Sequence, residues 1–392
     1  MKLLFYCDTV FGYGGVERVL AELAKELSKR HEVSILTTDM RKDYTMYGYH
    51  ESSIKFHFID YSQPSGLEKF ICKSYSYLYK SFLPKNRLTS WLYGKSFFLP
   101  SYRRKLIRVI NDGGYDVVIG VHAYLSLHLT SIKSHIKAKT VGWMHNSYQA
   151  FFEKEKPYLP GLKDFFRHRM PVLDKMVVLC KADTDRYQSE MKLNPLVIYN
   201  PLTVKPDGRG DASHKKFLAV GRFAHAHKGF DILIEAFAQF AQTNQEWNLE
   251  LVGEGPEEPL YRSMIADYKL SKRIKICPFT DHIQQHYAAA SVYVLSSRWE
   301  GFGLVLVEAM SHGLPIISSR LPVTEELLDG RDVAVFFESE QADQLAQQMH
   351  HMAEEVDWQP MSTRALAYSS QFDIGYIAGK WEEMMEEVLH GR

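Results

Sequence analysis

The chain has 392 residues, and at ~150 residues per domain that length favours two domains, or three, over a single core. Apolar residues make up 45% and charged residues 24%, near the averages for soluble globular proteins, which excludes a disordered chain or a fibrous repeat. Lys and Arg balance Asp and Glu at 47 each, yet residues 1–200 hold 30 basic against 19 acidic side chains, net +11, which leaves the remainder net −11. Two domains facing different partners are expected, the basic one meeting an anionic surface, with no nucleic-acid partner. Cys7, Cys72, Cys180 and Cys277 lie at least 65 residues apart with no CxxC pair, which argues against a zinc site or a disulfide scaffold and for a reducing cytoplasm. Asp8 interrupts the apolar start too early for a signal peptide, and no run approaches the ~18 apolar residues of a membrane span.

In chain order, residues 2–7 read as a buried strand, 8–15 as a glycine-rich turn, and Val16, Val19, Leu20, Leu23, Ala24 and Leu27 as the apolar stripe of a helix. Strands follow at 31–37 and 54–59. Residues 66–108 then hold ten Lys/Arg against one acid, Glu68, with ten aromatics interleaved, among them Phe70, Tyr79, Trp91 and Phe97. Cations attract anionic headgroups and aromatics settle at the interface, so this segment reads as membrane-facing; the alternative is a helical insertion whose aromatics are core. Strands at 116–121, 140–144 and 175–179 complete a first α/β domain at 1–198. Residues 201–214 carry two Pro and two Gly without periodicity, and a linker is drawn at 199–214. The alternation restarts with strands at 217–220, 249–252, 274–277, 292–295, 315–318 and 333–336, giving a second domain at 215–369. Two doubly wound parallel sheets in tandem follow, with a site expected in a cleft at the carboxyl ends of the strands. The last segment, 370–392, carries Ile374, Ile377, Ala378, Trp381, Met384, Met385 and Val388 as a helical stripe that must dock on something.

Several motifs carry chemistry. Gly12, Gly14 and Gly15 bring backbone N–H groups to the start of a helix, where a phosphate binds, or serve only the turn. Asp39 could stand in for the ribose acid of a dehydrogenase, but Glu17 occupies the third glycine position of that fingerprint and would crowd helix–strand packing. Gly221 and Arg222 follow a strand and Lys228 precedes a helix, so the two cations could neutralise a diphosphate; His225 and His227 between them are read as loop residues. Glu300 and Glu308 lie eight apart around Gly301, Phe302 and Gly303, with the N–H groups of Leu304 and Val305 at a helix start. One acid would face a sugar and the other a ribose, although paired carboxylates also fit a glycoside hydrolase. His122 and His145 each end a strand, which points both to the rim of a cleft. Asp183-Thr184-Asp185 matches a metal-binding DxD superficially and is read as a helix cap.

In this order and spacing the motifs resemble the GT-B glycosyltransferases, specifically the retaining family-4 group that builds bacterial lipopolysaccharide, capsule and exopolysaccharide. The resemblance rests on Glu300-Gly-Phe-Gly-Leu-Val-Leu-Val-Glu308, Val220-Gly-Arg222 with Lys228-Gly-Phe-Asp231, Leu251-Val-Gly253-Glu-Gly-Pro256 and Gly14-Gly15, and it covers almost the whole chain. It implies that Gly14, Gly15, Gly221, Arg222, Lys228 and Gly253 belong to the site of the donor diphosphate. It implies further that Leu304 and Val305 bind through their backbone, Glu308 binds the ribose, and Glu300 with Gly301, Phe302 and Gly303 holds the transferred sugar. His145 would reach the sugar near the reacting centre, with His122 a second histidine of the site, and the last helix would cross back onto the first domain. The expected enzyme is a hexosyltransferase that moves a sugar from a nucleotide sugar, most often a UDP-sugar, to a lipid-linked or lipopolysaccharide acceptor. It would need no metal or cofactor and would work at the cytoplasmic face of the membrane. A sugar-nucleotide epimerase of the same architecture and a non-catalytic nucleotide-sugar-binding scaffold are the alternatives.

Overall fold

Short apolar runs bounded by turn residues become strands buried on both faces, because a parallel sheet carries helices on both sides. In the computed structural model, which describes residues 1–61, 65–224 and 227–391, these are β1 Lys2–Cys7, β2 Glu32–Thr37, β3 Lys55–Phe58, β4 Val117–Val121, β5 Lys139–Trp143, β6 Lys175–Val178 and β7 Leu196–Val197, then β8 Lys216–Val220, β9 Asn248–Val252, β10 Ile274–Cys277, β11 Val292–Leu295, β12 Ile316–Ser319 and β13 Ala334–Phe337. They form two wholly parallel sheets, ordered β3-β2-β1-β4-β5-β6-β7 and β10-β9-β8-β11-β12-β13. The chain divides accordingly into a first unit, residues 1–201 together with the helix Ile374–His390, and a second unit, Leu202–Asp373. Strand order reverses between β1 and β4 in one sheet and between β8 and β11 in the other, and the loops after those strands are where an open α/β sheet binds ligands.

The helices of the first unit begin with α1 Gly15–Ser28, α2 Gly66–Ser81, α3 Arg87–Phe97, α4 Pro100–Gly113 and α5 Ala123–Ile132. Inward aromatics join α2 to α3: Tyr79 stacks on Tyr93 with centroids 4.2 Å apart, and the Tyr79 and Ser90 hydroxyls are 2.8 Å apart. The outward side of α2 leaves Leu67, Phe70, Ile71, Tyr77 and Leu78 exposed. The aromatics of 66–108 therefore split between the two readings of that segment. The stripe of the last helix is buried from Ile377 to Val388; Trp381 meets Trp143 at 4.7 Å, and Glu382 accepts from Arg30 Nε at 2.8 Å.

In the second unit, residues drawn as linker are pinned to the domain they precede. The Gly210 N–H donates to the His312 carbonyl and the Asp211 N–H to the Ala290 carbonyl. On the face carrying Phe217, Ala219, Leu249 and Leu251 a buried apolar cluster packs against the helix Phe230–Phe240.

Candidate functional site

In the second unit the loop after β8 folds against the loops after β9 and β11. Gly229 has φ +61°, and a Cβ there would lie 2.0 Å from the Ser296 carbonyl, so only glycine allows the close approach. Gly253 plays the same part toward the Gly221 carbonyl, 1.9 Å from its ideal Cβ position. Its function is therefore to seat the 221 loop, whatever else its backbone does. The Lys228 stem lies over Gly221, whose ideal Cβ would be 2.9 Å from Lys228 Cε.

Lys228 ends on Glu300: Nζ donates to Oε1 at 2.6 Å, and the Ser297 hydroxyl donates to the same oxygen at 2.6 Å. Burial would raise the Glu300 carboxyl, but the Lys228 ammonium, with His227 and the two hydrogen bonds, outweighs it and holds the pKa below the ordinary value. One ammonium proton serves Glu300, leaving two donors for phosphate or sugar oxygens. The Arg222 guanidinium is exposed and forms no ion pair among the described residues, the state of a cation available to a ligand. Beside this pair His227 stacks on Trp299 at 4.5 Å and meets its carbonyl at 2.5 Å, while Arg298 grips Asp231 through two hydrogen bonds of 3.0 and 2.7 Å. His225 lies outside the described residues.

Gly303, at φ +84°, starts the helix Leu304–Ser311, so the Leu304 and Val305 N–H groups have no intrahelical acceptor and are open to an anion. Gly301 and Phe302 lead into it, and the Phe302 ring is buried against Phe372, which leaves only backbone to face a ligand. Glu308, one turn further on, is buried and accepts from the Tyr287 hydroxyl at 2.8 Å. Ser297, Arg298 and Trp299 stand in the same dense stretch of sequence, which gave them no role; Tyr287, thirteen residues before the motif it supports through tertiary contact, has no local signal.

In the first unit the predicted residues cluster at the ends of β1, β4 and β5. Gly14 caps α1 and Gly15 opens it, with the Glu17 carboxylate folded back against Gly14. Glu17 thus avoids the helix–strand seam it was expected to crowd. Asp39 is no ribose acid in waiting: it accepts the Val10 and Phe11 N–H groups at 3.1 and 2.9 Å and pairs with Arg41, whose hydrogen bonds hold its carboxyl well below the usual range. Asp183 is not an N-cap either; it sits inside its helix and accepts the Tyr148 N–H at 2.8 Å.

His122 adopts φ +90° and ψ 152°, a region that costs a side-chain-bearing residue about 1–3 kcal/mol and persists mainly where function demands it. Burial lowers its pKa to about 4. Its N–H donates to the Trp143 carbonyl at 2.8 Å, and the His145 ring lies 4.0 Å from the Trp143 ring. Burial, and then the His122 charge, push the His145 pKa well down, and its Nε2 is buried with no hydrogen-bond partner among the described residues. An orphaned polar atom of this kind is what a ligand hydroxyl satisfies.

Among the described residues Glu250, Cys277 and His286 could together hold a metal ion, but Lys216 Nζ, 3.4 Å from Glu250, already neutralises that carboxylate, and the His286 ring meets it at 2.5 Å.

Two parallel-sheet α/β units, one with cations, paired acids and an open helix start at its switch point, make this a protein of the GT-B fold. The chain belongs to the glycosyltransferases of the family-4 type: residues 13–205 match the model described as Glycosyltransferase Family 4 and residues 214–355 that of Glycosyl transferases group 1. It is 24% identical over 295 residues to an uncharacterised glycosyltransferase of Haemophilus influenzae, covering 74% of this chain and 81% of that protein. It is 22% identical over 317 residues to the O-antigen biosynthesis glycosyltransferase WclY of Escherichia coli, 80% and 79% of the two chains. The crystal structure of Anabaena HepE with UDP and glucose shares the fold at a TM-score of 0.73 and 18% identity, over 98% of this chain and 99% of that one.

Proposed function

We propose that this glycosyltransferase moves a sugar, with retention of configuration, from a UDP-sugar to a lipid-linked saccharide of a bacterial surface polysaccharide. The single observation that carries the donor half is the second-unit arrangement: the exposed Arg222, the two spare donors of Lys228 and the open N–H groups of Leu304 and Val305 answer the charge of a leaving diphosphate without a metal. Glu308 then takes the ribose and Glu300 the sugar hydroxyls; in the first unit, His145 offers a ligand its unpartnered Nε2. The uridine and the acceptor class are favoured by the likeness to HepE, whose crystal structure holds UDP, and to WclY, an O-antigen biosynthesis glycosyltransferase.

What surrounds the carboxylates supports a same-face route over a covalent one. Glu300 is anionic, as a nucleophile would be, but it is tied to Lys228 and Ser297, which lowers its nucleophilicity. The departing phosphate can take the acceptor proton on the face it leaves. Proton NMR of the product tests this: an α-donor gives an α-linkage, a β-linkage overturns retention, and a trapped glycosyl-Glu300 adduct overturns the positioning role of that carboxylate.

The acceptor half places the first unit at the inner face of the membrane. No described helix is long and apolar enough to cross a membrane, so attachment is peripheral, by the exposed apolar side of α2 and the cations beside it. Cosedimentation with anionic vesicles should weaken with salt, since exposed charges are screened within about 10 Å at 0.1 M. Binding unchanged after neutralising Lys73, Lys80, Arg103, Arg104 and Lys105 would return the segment to an ordinary insertion.

A further inference from the structure

A carboxylate in the middle of an apolar strand needs a reason, and Glu250, between Leu249 and Leu251 in β9, is 6% exposed. Strand alternation sends it to the face opposite those leucines, where it meets Cys277 at the end of β10, 5% exposed, and His286 on the helix Ile283–Ala288. One atom of each, a carboxylate oxygen, a thiol sulfur and an imidazole nitrogen, lies within 4.8 Å of the others. Ligand atoms around a tetrahedral zinc ion stand about 3–4 Å apart, so small side-chain rotations close the set. His286 Nδ1 meets Glu250 Oε1 at 2.5 Å, and an ion entering between them opens that pair. Two lysines compete for the cluster: Lys216 Nζ is 3.4 Å from Glu250 Oε2, and Lys275 reaches Cys277. Lys216 suffices to neutralise Glu250 while the thiol keeps its proton. With the thiol ionised the cluster carries two negative charges, which one divalent ion cancels, and both ammonium groups, on stems that reach the surface, return to water.

We propose that Glu250, Cys277 and His286 bind a divalent cation of the zinc type, with water as fourth ligand, and that the ion clamps the helix Ile283–Ala288 onto β9 and β10. As the ion bonds the sulfur, the S–H bond breaks and its proton goes to solvent. A mixed set of sulfur, nitrogen and oxygen selects zinc or cobalt over magnesium, which keeps to oxygen ligands. Tyr287 follows His286 on a helix of six residues and donates to Glu308 at 2.8 Å, so an ion on His286 steadies the residue that holds Glu308. The ion takes no part in transfer, and its binding is independent of which donor and acceptor the enzyme uses.

The experiment titrates the full chain, reduced and stripped of metal, with Co²⁺, whose bond to a thiolate gives a charge-transfer band in the near ultraviolet, and follows the melting temperature in Zn²⁺ and in Mg²⁺. Wild type should develop the band at about one equivalent of Co²⁺. Zn²⁺ should raise the melting temperature with concentration and Mg²⁺ should not, since an ion that binds only the folded state stabilises it by mass action. Cys277→Ser, which is nearly isosteric, should abolish the band. His286→Gln, at a partly exposed position, should weaken Co²⁺ binding more than about tenfold, because losing a ligand costs more than losing an outer-shell partner. Lys216→Met removes the competing ammonium and should tighten Co²⁺ binding about tenfold, a gain that no misfolded variant would show. Absence of the band in wild type, a band that survives Cys277→Ser, or equal stabilisation by Mg²⁺ overturns the site. Weaker binding in Lys216→Met overturns the exchange of lysine for metal on which the site depends.

Discussion

Arg222 and Lys228 are two cations of one loop held in different ways, and their variants should separate. Arg222 is exposed with no acid partner among the described residues, so Arg222→Ala should leave the melting temperature unchanged while transfer falls roughly 10²–10³-fold, the scale of one preorganised charge-stabilising donor. Lys228→Ala should lose transfer similarly and also stability, by roughly 3 kcal/mol, because it strands the buried Glu300 carboxylate. Sequence alone leads one to expect little effect on folding from either change, since no spacing reveals that Lys228 and Glu300, 72 residues apart, share a hydrogen bond. Thermal melts beside initial rates check both outcomes; an Arg222 variant with near-normal turnover would remove that residue from the donor site. His122 offers a cleaner backbone test. At φ +90° glycine is unstrained and alanine is not, so His122→Gly should be more stable than His122→Ala by about 1 kcal/mol in urea unfolding. The reverse order would show that the conformation carries no strain.

Elements were the most legible scale, for a physical reason. β1, β4 and β11 are buried along nearly their whole length, so their sequences are short apolar runs. β7 has two half-buried residues and left no such trace. The helix Leu304–Ser311 was equally readable from Gly303, yet the hydroxyl that holds its Glu308 comes from Tyr287, on the helix Ile283–Ala288, and only the fold brings the two together. Tyr287→Phe keeps the ring and removes that donor, so the affinity for the nucleotide donor should fall about tenfold with kcat little changed. Equal loss in kcat would point instead to a disturbed helix. α5 makes a different forecast. Burial sets the His128 pKa at about 3 and that of His122 at about 4, against 6.5 for ordinary histidine. His128 is enclosed by Tyr6, Phe98 and Tyr124, none of them an acid. The unfolded chain therefore takes up protons that the folded unit refuses: this stability is whole above the ordinary value and drains as pH falls toward 4, about 3 kcal/mol for His122 alone. Urea midpoints at pH 7 and pH 5 should differ less in His128→Gln than in wild type, and an unchanged difference would mean that His128 is already protonated in the native state.

At the scale of the molecule the chain passes out of the first unit at residue 201 and returns to it at 374, so the last helix belongs by packing to the residues furthest from it in sequence. Its stripe announced that it must dock, and its place against α1 and Trp143 shows where: Trp381, Met384 and Met385 are buried to within 1%. At about 1.5–3 kcal/mol for each large apolar side chain buried, the helix contributes about as much as the 5–15 kcal/mol that holds a typical domain together. A chain ending at Asp373 should therefore lose the first unit and keep the second, whose core of Phe217, Leu233, Phe237 and Leu251 includes nothing from the last helix. Limited proteolysis with mass mapping reads this directly: cuts should spread through residues 1–201 while the 202–373 fragment survives at wild-type protease levels. If both units resist as before, the helix is a surface attachment, and the buried tryptophan pair contributes little to the first unit. If both are digested together, the two units do not fold independently, and removal of one drags down the other.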